Sequence, residues 1–119
     1  MSTVLFACVH NAGRSQMAAA LFNACADPAR ARAISAGTQP AQRVHPEVVA
    51  VMRELGIELA DSKPQLLSDS VARAADLLVT MGCGEACPHV PSLRRLDWPT
   101  ADPKGRTLEI VRENGWQRA

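Results

Sequence analysis

The chain has 119 residues, of which 47% are hydrophobic, and a formal net charge of +1. That length supports one core, read here as a single domain over residues 1–119. The near-neutral balance argues against nucleic acid or a membrane surface as partner, and no apolar run approaches the length of a membrane span.

Residues 3–7, with the apolar run Val4-Leu5-Phe6-Ala7, read as a buried strand. A helix follows over about residues 14–26, with Met17, Leu21 and either Ala24 or Cys25 on one side and Cys25 as a small apolar filler. Asp27-Pro28 ends it. A short strand at residues 32–36 leads to the loop Gly37-Thr38-Gln39-Pro40. Val44-His45-Pro46 opens a second helix, with Pro46 near its first turn, Val48, Val49, Met52 and Leu55 as its apolar face and Gly56 as its stop. His45 reads as a loop or capping residue. Residues 57–64 form a connector extended over the surface, and Leu66-Leu67-Ser68-Asp69 starts a third helix reaching about Ala75. Residues 76–81 are a buried strand, 82–92 a loop, 93–98 a fourth strand and 99–105 a loop. Thr107 is expected to cap a last helix that ends near Asn114-Gly115.

Buried strands alternating with helices predict an α/β fold: a four-stranded parallel sheet flanked by helices in three layers. Ligands bind such sheets at the carboxyl ends of the strands. Cys8 ends the first strand, Cys83 follows the third, and the fourth leads toward Asp102. Three reactive groups thus converge on one edge.

The chemistry centres on Cys8-Val9-His10-Asn11-Ala12-Gly13-Arg14-Ser15, a Cys-x5-Arg-Ser turn between strand and helix. A loop wrapped at a helix N-terminus aims backbone N–H groups inward and forms an anion site, here from Val9, His10, Asn11, Ala12 and Gly13. Gly13 admits a backbone geometry that a side chain would block. Arg14 offers a planar fork of donors that matches a tetrahedral oxyanion. Its positive charge at a helix N-terminus is unfavourable unless an anion offsets it. The same field favours the thiolate of Cys8, and the thiolate is the nucleophile.

The N-terminal residues do not read as a cleavable leader, so the protein is expected in the cytoplasm. In a reducing compartment four cysteines point to catalysis or metal binding before a disulfide framework. Cys83 and Cys87 lie four apart beside glycines and a proline. They suit a thiol relay: Cys83 attacks an adduct on Cys8, and Cys87 then resolves the Cys8–Cys83 disulfide. A zinc site would need four ligands, and only His89 and His10 are obvious additions, so no metal is predicted. Asp97 and Asp102 both stand where a general acid could serve the departing oxygen. Asp102 precedes a proline and is held extended; Asp97 suits a strand end; spacing alone does not choose.

The chain resembles the arsenate reductases built on the low-molecular-weight protein tyrosine phosphatase fold, their actinobacterial-type members above all. The likeness is carried by Cys8 through Ala18, Ser35-Ala36-Gly37-Thr38, Val44-His45-Pro46, Val79 through Gly84, Cys87-Pro88, Asp97-Trp98 and Asp102-Pro103. It implies Cys8 as nucleophile on arsenate, Arg14 as oxyanion clamp, Ser15 as a hydroxyl holding the thiolate and Asn11 as the residue fixing the loop. It implies Asp102 as general acid and Cys83 and Cys87 as the relay pair. No bound cofactor is implied, only an external thiol reductant: thioredoxin, or a mycothiol/mycoredoxin system. A monomer is expected. The relay cysteines are closer together than in thioredoxin-coupled relatives, which leaves the reductant open. Ala19 stands where some relatives carry a potassium-binding glutamate, so that ion is not expected. The last helix is shorter than usual, with Trp116 available to cover the surface a longer one would hide.

Two other readings share these residues. A phosphatase would use the same loop and acid, but a phosphotyrosine site wants aromatic walls, and the chain has no Tyr, two Phe and two Trp. It would also have no use for Cys83 and Cys87. A non-catalytic oxyanion or arsenite binder would use those two cysteines as ligands.

Overall fold

The computed structural model describes residues 1–59, 62–81, 93–98 and 103–117, and the side chains from residue 106 onward in the last segment. Its strands are β1 (Ser2–Cys8), β2 (Ala31–Gly37), β3 (Leu77–Thr80) and β4 (Arg94–Asp97), and its helices α1 (Arg14–Cys25), α2 (Pro46–Glu54), α3 (Asp69–Arg73) and α4 (Pro103–Glu113). The strands form one sheet in the order β2-β1-β3-β4. Every pairing is parallel, with Cys8 opposite Gly37, Ala7 opposite Thr80, and Thr80 opposite Asp97. The chain leaves β1 to one side and returns on the other, so a topological switch point lies at the carboxyl end of β1, where such sheets bind ligands.

Alternation along β1 sorts the core. Val4, Phe6 and Cys8 join Ala18 and Phe22 of α1, Val79, Trp98, and Ile110 and Val111 of α4. Leu5 and Ala7 join Ala36, Leu67, Leu78 and Ala72 of α3 on the other face. Side chains two apart on a strand share a face, so the sheet is covered by helices on both sides. Phe6 contacts the rings of Phe22 and Trp98 at centroid distances of 6.1 and 5.8 Å. A third cluster joins Leu21 of α1 to Val44, Met52 of α2 and Leu59. No helix among the described residues is long and apolar enough to cross a membrane.

The helix ends follow local chemistry. Pro46 opens α2, and Gly56, at φ +79°, closes it. Gly56 N donates to Arg53 O, and Ile57 N to Met52 O, at 2.9 Å each. This paired arrangement satisfies the last carbonyls of the helix. α4 ends the same way at Gly115, with Trp116 N donating to Val111 O. Ser68 caps α3, its Oγ accepting from Val71 N at 3.3 Å.

Three expectations change. Thr107 does not cap the last helix: α4 begins at Pro103, a residue suited to a first helical turn, and Thr107 is buried inside it. Leu55 is 50% exposed, because the helix has already ended at Glu54 and Gly56 turns the chain away. The connector after α2 is not wholly superficial, since Leu59 is buried against Val44 and Met52. Trp116 does cover apolar surface, packing edge-on to Phe22 at 5.7 Å.

Candidate functional site

Cys8 is the last residue of β1, and Arg14 and Ser15 are the first two of α1. The five residues between them wrap into a loop whose carbonyls are all engaged. Thr38 N donates to Cys8 O, Gln39 N to Val9 O, Ala41 N to His10 O and His45 N to Ala12 O, at 2.8–3.2 Å. Gln16 Nε2 donates to Asn11 O at 3.1 Å, and Met17 N to Gly13 O at 3.0 Å. Among the described residues no hydrogen bond takes up the N–H groups of Val9, His10, Ala12 or Gly13. A loop that is buried or half-buried except at His10, with its carbonyls occupied and its N–H groups open, is built for an anion. The N-terminus of α1 adds the positive end of its dipole; Gly13 precedes it with no side-chain cap, and no acidic residue lies in its first turn.

Cys8 sits at the floor, 9% exposed. Asn11 N donates to Cys8 Sγ at 3.1 Å, and Ser15 Oγ lies 2.8 Å from the same sulfur. The direction of that second contact follows from its neighbours. Gln65 N donates to one oxygen of the Asn11 side chain, Oδ1, at 3.0 Å. A backbone N–H can only donate, so that atom is the carbonyl oxygen and the other is the amide nitrogen. Asn11 Nδ2 therefore donates to Ser15 Oγ, at 2.8 Å. The Ser15 hydroxyl hydrogen is thereby free for Cys8 Sγ, which as a thiolate can only accept it. An N–H and a hydroxyl thus converge on one sulfur. Asn11 and Ser15 are fully buried.

Cys8, Val9, His10, Ala12, Gly13 and Arg14 line one cleft of about 340 Å³ with His45 and Met81. Arg14 is largely exposed, but its guanidinium reaches across the mouth, Nη2 donating to Met81 O at 3.3 Å. Met81 is held at the strand ends by its own N–H, which donates to Ala7 O at 2.7 Å. The Cys8 sulfur, the open amides and the guanidinium face one concave space at the carboxyl edge of the sheet.

The model of the low molecular weight phosphotyrosine protein phosphatase family matches residues 3–104. The chain belongs to that family. Within it, the chain is 35% identical to the arsenate reductase of Brevibacillus brevis over 113 residues, covering 87% of this chain and 78% of that one. It is 31% identical to the glutaredoxin arsenate reductase of Synechocystis over 115 residues, covering 94% of this chain and 86% of that one. Among solved structures, the thioredoxin-dependent arsenate reductase of Corynebacterium glutamicum superposes with a TM-score of 0.85 at 39% identity over 95% of this chain. This chain spans 61% of that protein's length.

For a member of this phosphatase family the carboxylate at the site matters next. Asp97 ends β4 and accepts from Thr80 Oγ1 and from Arg95 Nε. The Thr80 hydroxyl, and then Arg95, hold its carboxyl below the usual range. A carboxyl kept ionised is poorly suited to give up a proton. Asp97 ties the ends of β3 and β4 together. Asp102, Cys83, Cys87 and His89 lie outside the described residues.

Sequence reasoning missed three contributors. His45, expected as a loop or capping residue, is the residue before α2 but makes no side-chain cap, and its ring is a wall of the cleft. Around Gly13 the neighbours leave room, since an added Cβ would meet only His45 Cδ2 at 3.6 Å. The glycine that the loop's packing requires is Gly37, where a Cβ would fall 2.6 Å from Val9 O and 2.9 Å from Asn11 N. Gln65 supplies the N–H that orients Asn11, with no side-chain signal to announce it.

Proposed function

We propose that the chain is a cytoplasmic arsenate reductase acting as a monomer. The observation that carries this reading is the sulfur of Cys8 receiving Asn11 N and Ser15 Oγ beneath open amides and Arg14. Relatives of 31–35% identity named arsenate reductases support the choice of oxyanion. Arsenate enters with its oxygens on the open loop N–H groups of Val9, His10, Ala12 and Gly13, the Asn11 N–H being held by Cys8 Sγ, and Arg14 spans two of those oxygens. The Cys8 thiolate attacks arsenic and one As–OH departs as water, taking a proton from Asp102. The product is a thiolate–arsenate adduct with arsenic still pentavalent.

Reduction follows at sulfur. The Cys83 thiolate attacks Cys8 Sγ, an S–S bond forms, and the As–S bonding pair stays on arsenic, which leaves as arsenite. The Cys87 thiolate then attacks Cys83, freeing Cys8 as thiolate and leaving a Cys83–Cys87 disulfide. An external thiol system supplies the two electrons that reopen it. The thioredoxin-dependent and glutaredoxin-named relatives support such a partner, with thioredoxin favoured over mycothiol by the 39% identical structure.

Arsenite release from arsenate, run separately with thioredoxin and thioredoxin reductase and with a mycothiol/mycoredoxin system, tests the reading. Cys8→Ser should bind arsenate and form no arsenite; turnover in that variant removes Cys8 from the reaction. Fast hydrolysis of an aryl phosphate without arsenite, untouched by Cys83→Ser, would establish the phosphatase instead. Thiols unchanged by mass after arsenate treatment would establish a binder.

A further inference from the structure

Gln16 is the one buried amide of α1's first turn, 6% exposed, in a position where an apolar side chain would pack without needing partners. Burying an amide is unfavourable unless its donors are satisfied. Both contacts of its nitrogen go to one residue: Asn11 O at 3.1 Å and Asn11 Oδ1 at 3.2 Å. The first is a backbone carbonyl, which only accepts, so the Gln16 atom is the NH2 group. Asn11 is the one non-glycine described residue at positive φ, +51°. Asparagine enters that region more readily than most side chains, and its place there is fixed by the bonds it makes. Gln16 grips the backbone carbonyl of that turn and the side-chain oxygen together, tying the left-handed backbone to the orientation of the amide.

The consequence reaches the sulfur in three steps. With Oδ1 held by Gln16 and Gln65, Nδ2 must face Ser15 Oγ. With Ser15 Oγ accepting from Nδ2, its hydrogen is free for Cys8 Sγ, and a thiolate there can only accept it. Were the amide reversed, Ser15 would donate to Asn11 Oδ1 and the sulfur would lose a donor. We infer that Gln16 is a positioning residue whose buried amide holds Asn11 in the left-handed arrangement that turns the Ser15 hydroxyl toward Cys8. This rests on the reading of Cys8 as the nucleophile, and it assigns to Gln16 the polarity of the network.

Alkylation of Cys8 by iodoacetamide, followed by peptide mass spectrometry on the full chain, reports the sulfur's reactivity without arsenate turnover. Gln16→Met keeps length and burial but has no donor; Gln16→Glu sets a carboxylate against two oxygens. At pH 7 both should alkylate roughly ten-fold more slowly than wild type, the scale of one lost hydrogen bond to a charged group. Near pH 10, well above the ordinary cysteine pKa of about 8.5, the rates should converge. In an Asn11→Ala background Gln16→Met should add less than about two-fold, because the two residues act along one path. Unchanged alkylation, equal slowing at both pH values, or additive losses would overturn the inference. If Gln16→Glu does not fold, Gln16→Met decides alone. Arsenite assays separate the two readings: a wild-type chain that makes no arsenite defeats the reductase, while the alkylation series still decides Gln16.

Discussion

At the scale of single residues, the site is a problem in hydrogen-bond direction. Cys8 Sγ receives the N–H of Asn11 and lies in hydrogen-bond contact with Ser15 Oγ, whose own partner is the Asn11 amide. Gly37 shows how little slack exists. It is paired with Cys8 across the β1–β2 ladder and sits against Val9 O and Asn11 N. Gly37→Ala places a methyl group inside backbone contact distance, and backbone cannot swing aside as a long side chain would. We expect a loss of about 1–3 kcal/mol of stability from overpacking, read from urea midpoints. A larger relative loss in arsenate binding should accompany it, since the displaced atoms are those of the loop. A Gly37→Ala variant as stable and as tight-binding as wild type would show that the loop has room. Gly13 offers the contrast, for its Cβ position is open.

At the scale of elements, the segment 38–45 is as much part of the site as the loop itself. It makes no regular element, yet four of its N–H groups hold the loop carbonyls outward. The helix that follows is bounded by local rules: Pro46 begins it and Gly56 ends it. Nothing lies within 4 Å of a Cβ built at Gly56, so Gly56→Ala meets no clash and loses only the backbone preference. A loss of about 1 kcal/mol is expected, with arsenite formation unchanged because α2 touches the cleft only through His45 and the loop before it. A thermal melt and a turnover assay on one sample check both halves. These termini were legible in the sequence because each depends on one or two adjacent residues. The start of α4 was not: Thr107 has the chemistry of a cap, but Pro103 set the helix four residues earlier and burial claimed Thr107.

At the scale of the whole molecule, the sheet order β2-β1-β3-β4 brings the end of β1 beside the end of β3. That juxtaposition lets Arg14, from the start of α1, reach Met81 O across the cleft. The same edge carries the Thr80–Asp97–Arg95 tie between β3 and β4. The Asp97 carboxyl is held below its usual range in the folded chain, so the unfolded chain binds the proton more readily. Its stabilising effect is therefore full above the ordinary carboxylate pKa of about 3.9 and fades as pH falls through the lower folded value. The side chain is exposed, so the effect is small, less than about 1 kcal/mol. Urea midpoints of wild type and Asp97→Asn should differ slightly at pH 7 and converge in acid. A gap that widens in acid would reverse the sign and refute the tie.

The residues from Cys8 to Gln16 are contiguous, so the cysteine, the arginine and the helix behind them could be read from order alone: an apolar strand, a glycine-bearing turn and an alanine-rich run follow one another directly. Tertiary structure decided what that stretch is fastened to. Gly37, Gln65, His45 and the N–H groups of 38–45 meet the loop from separate parts of the chain. Most of them act through backbone atoms, which every residue type shares, and a bond made by backbone leaves no mark in the letters.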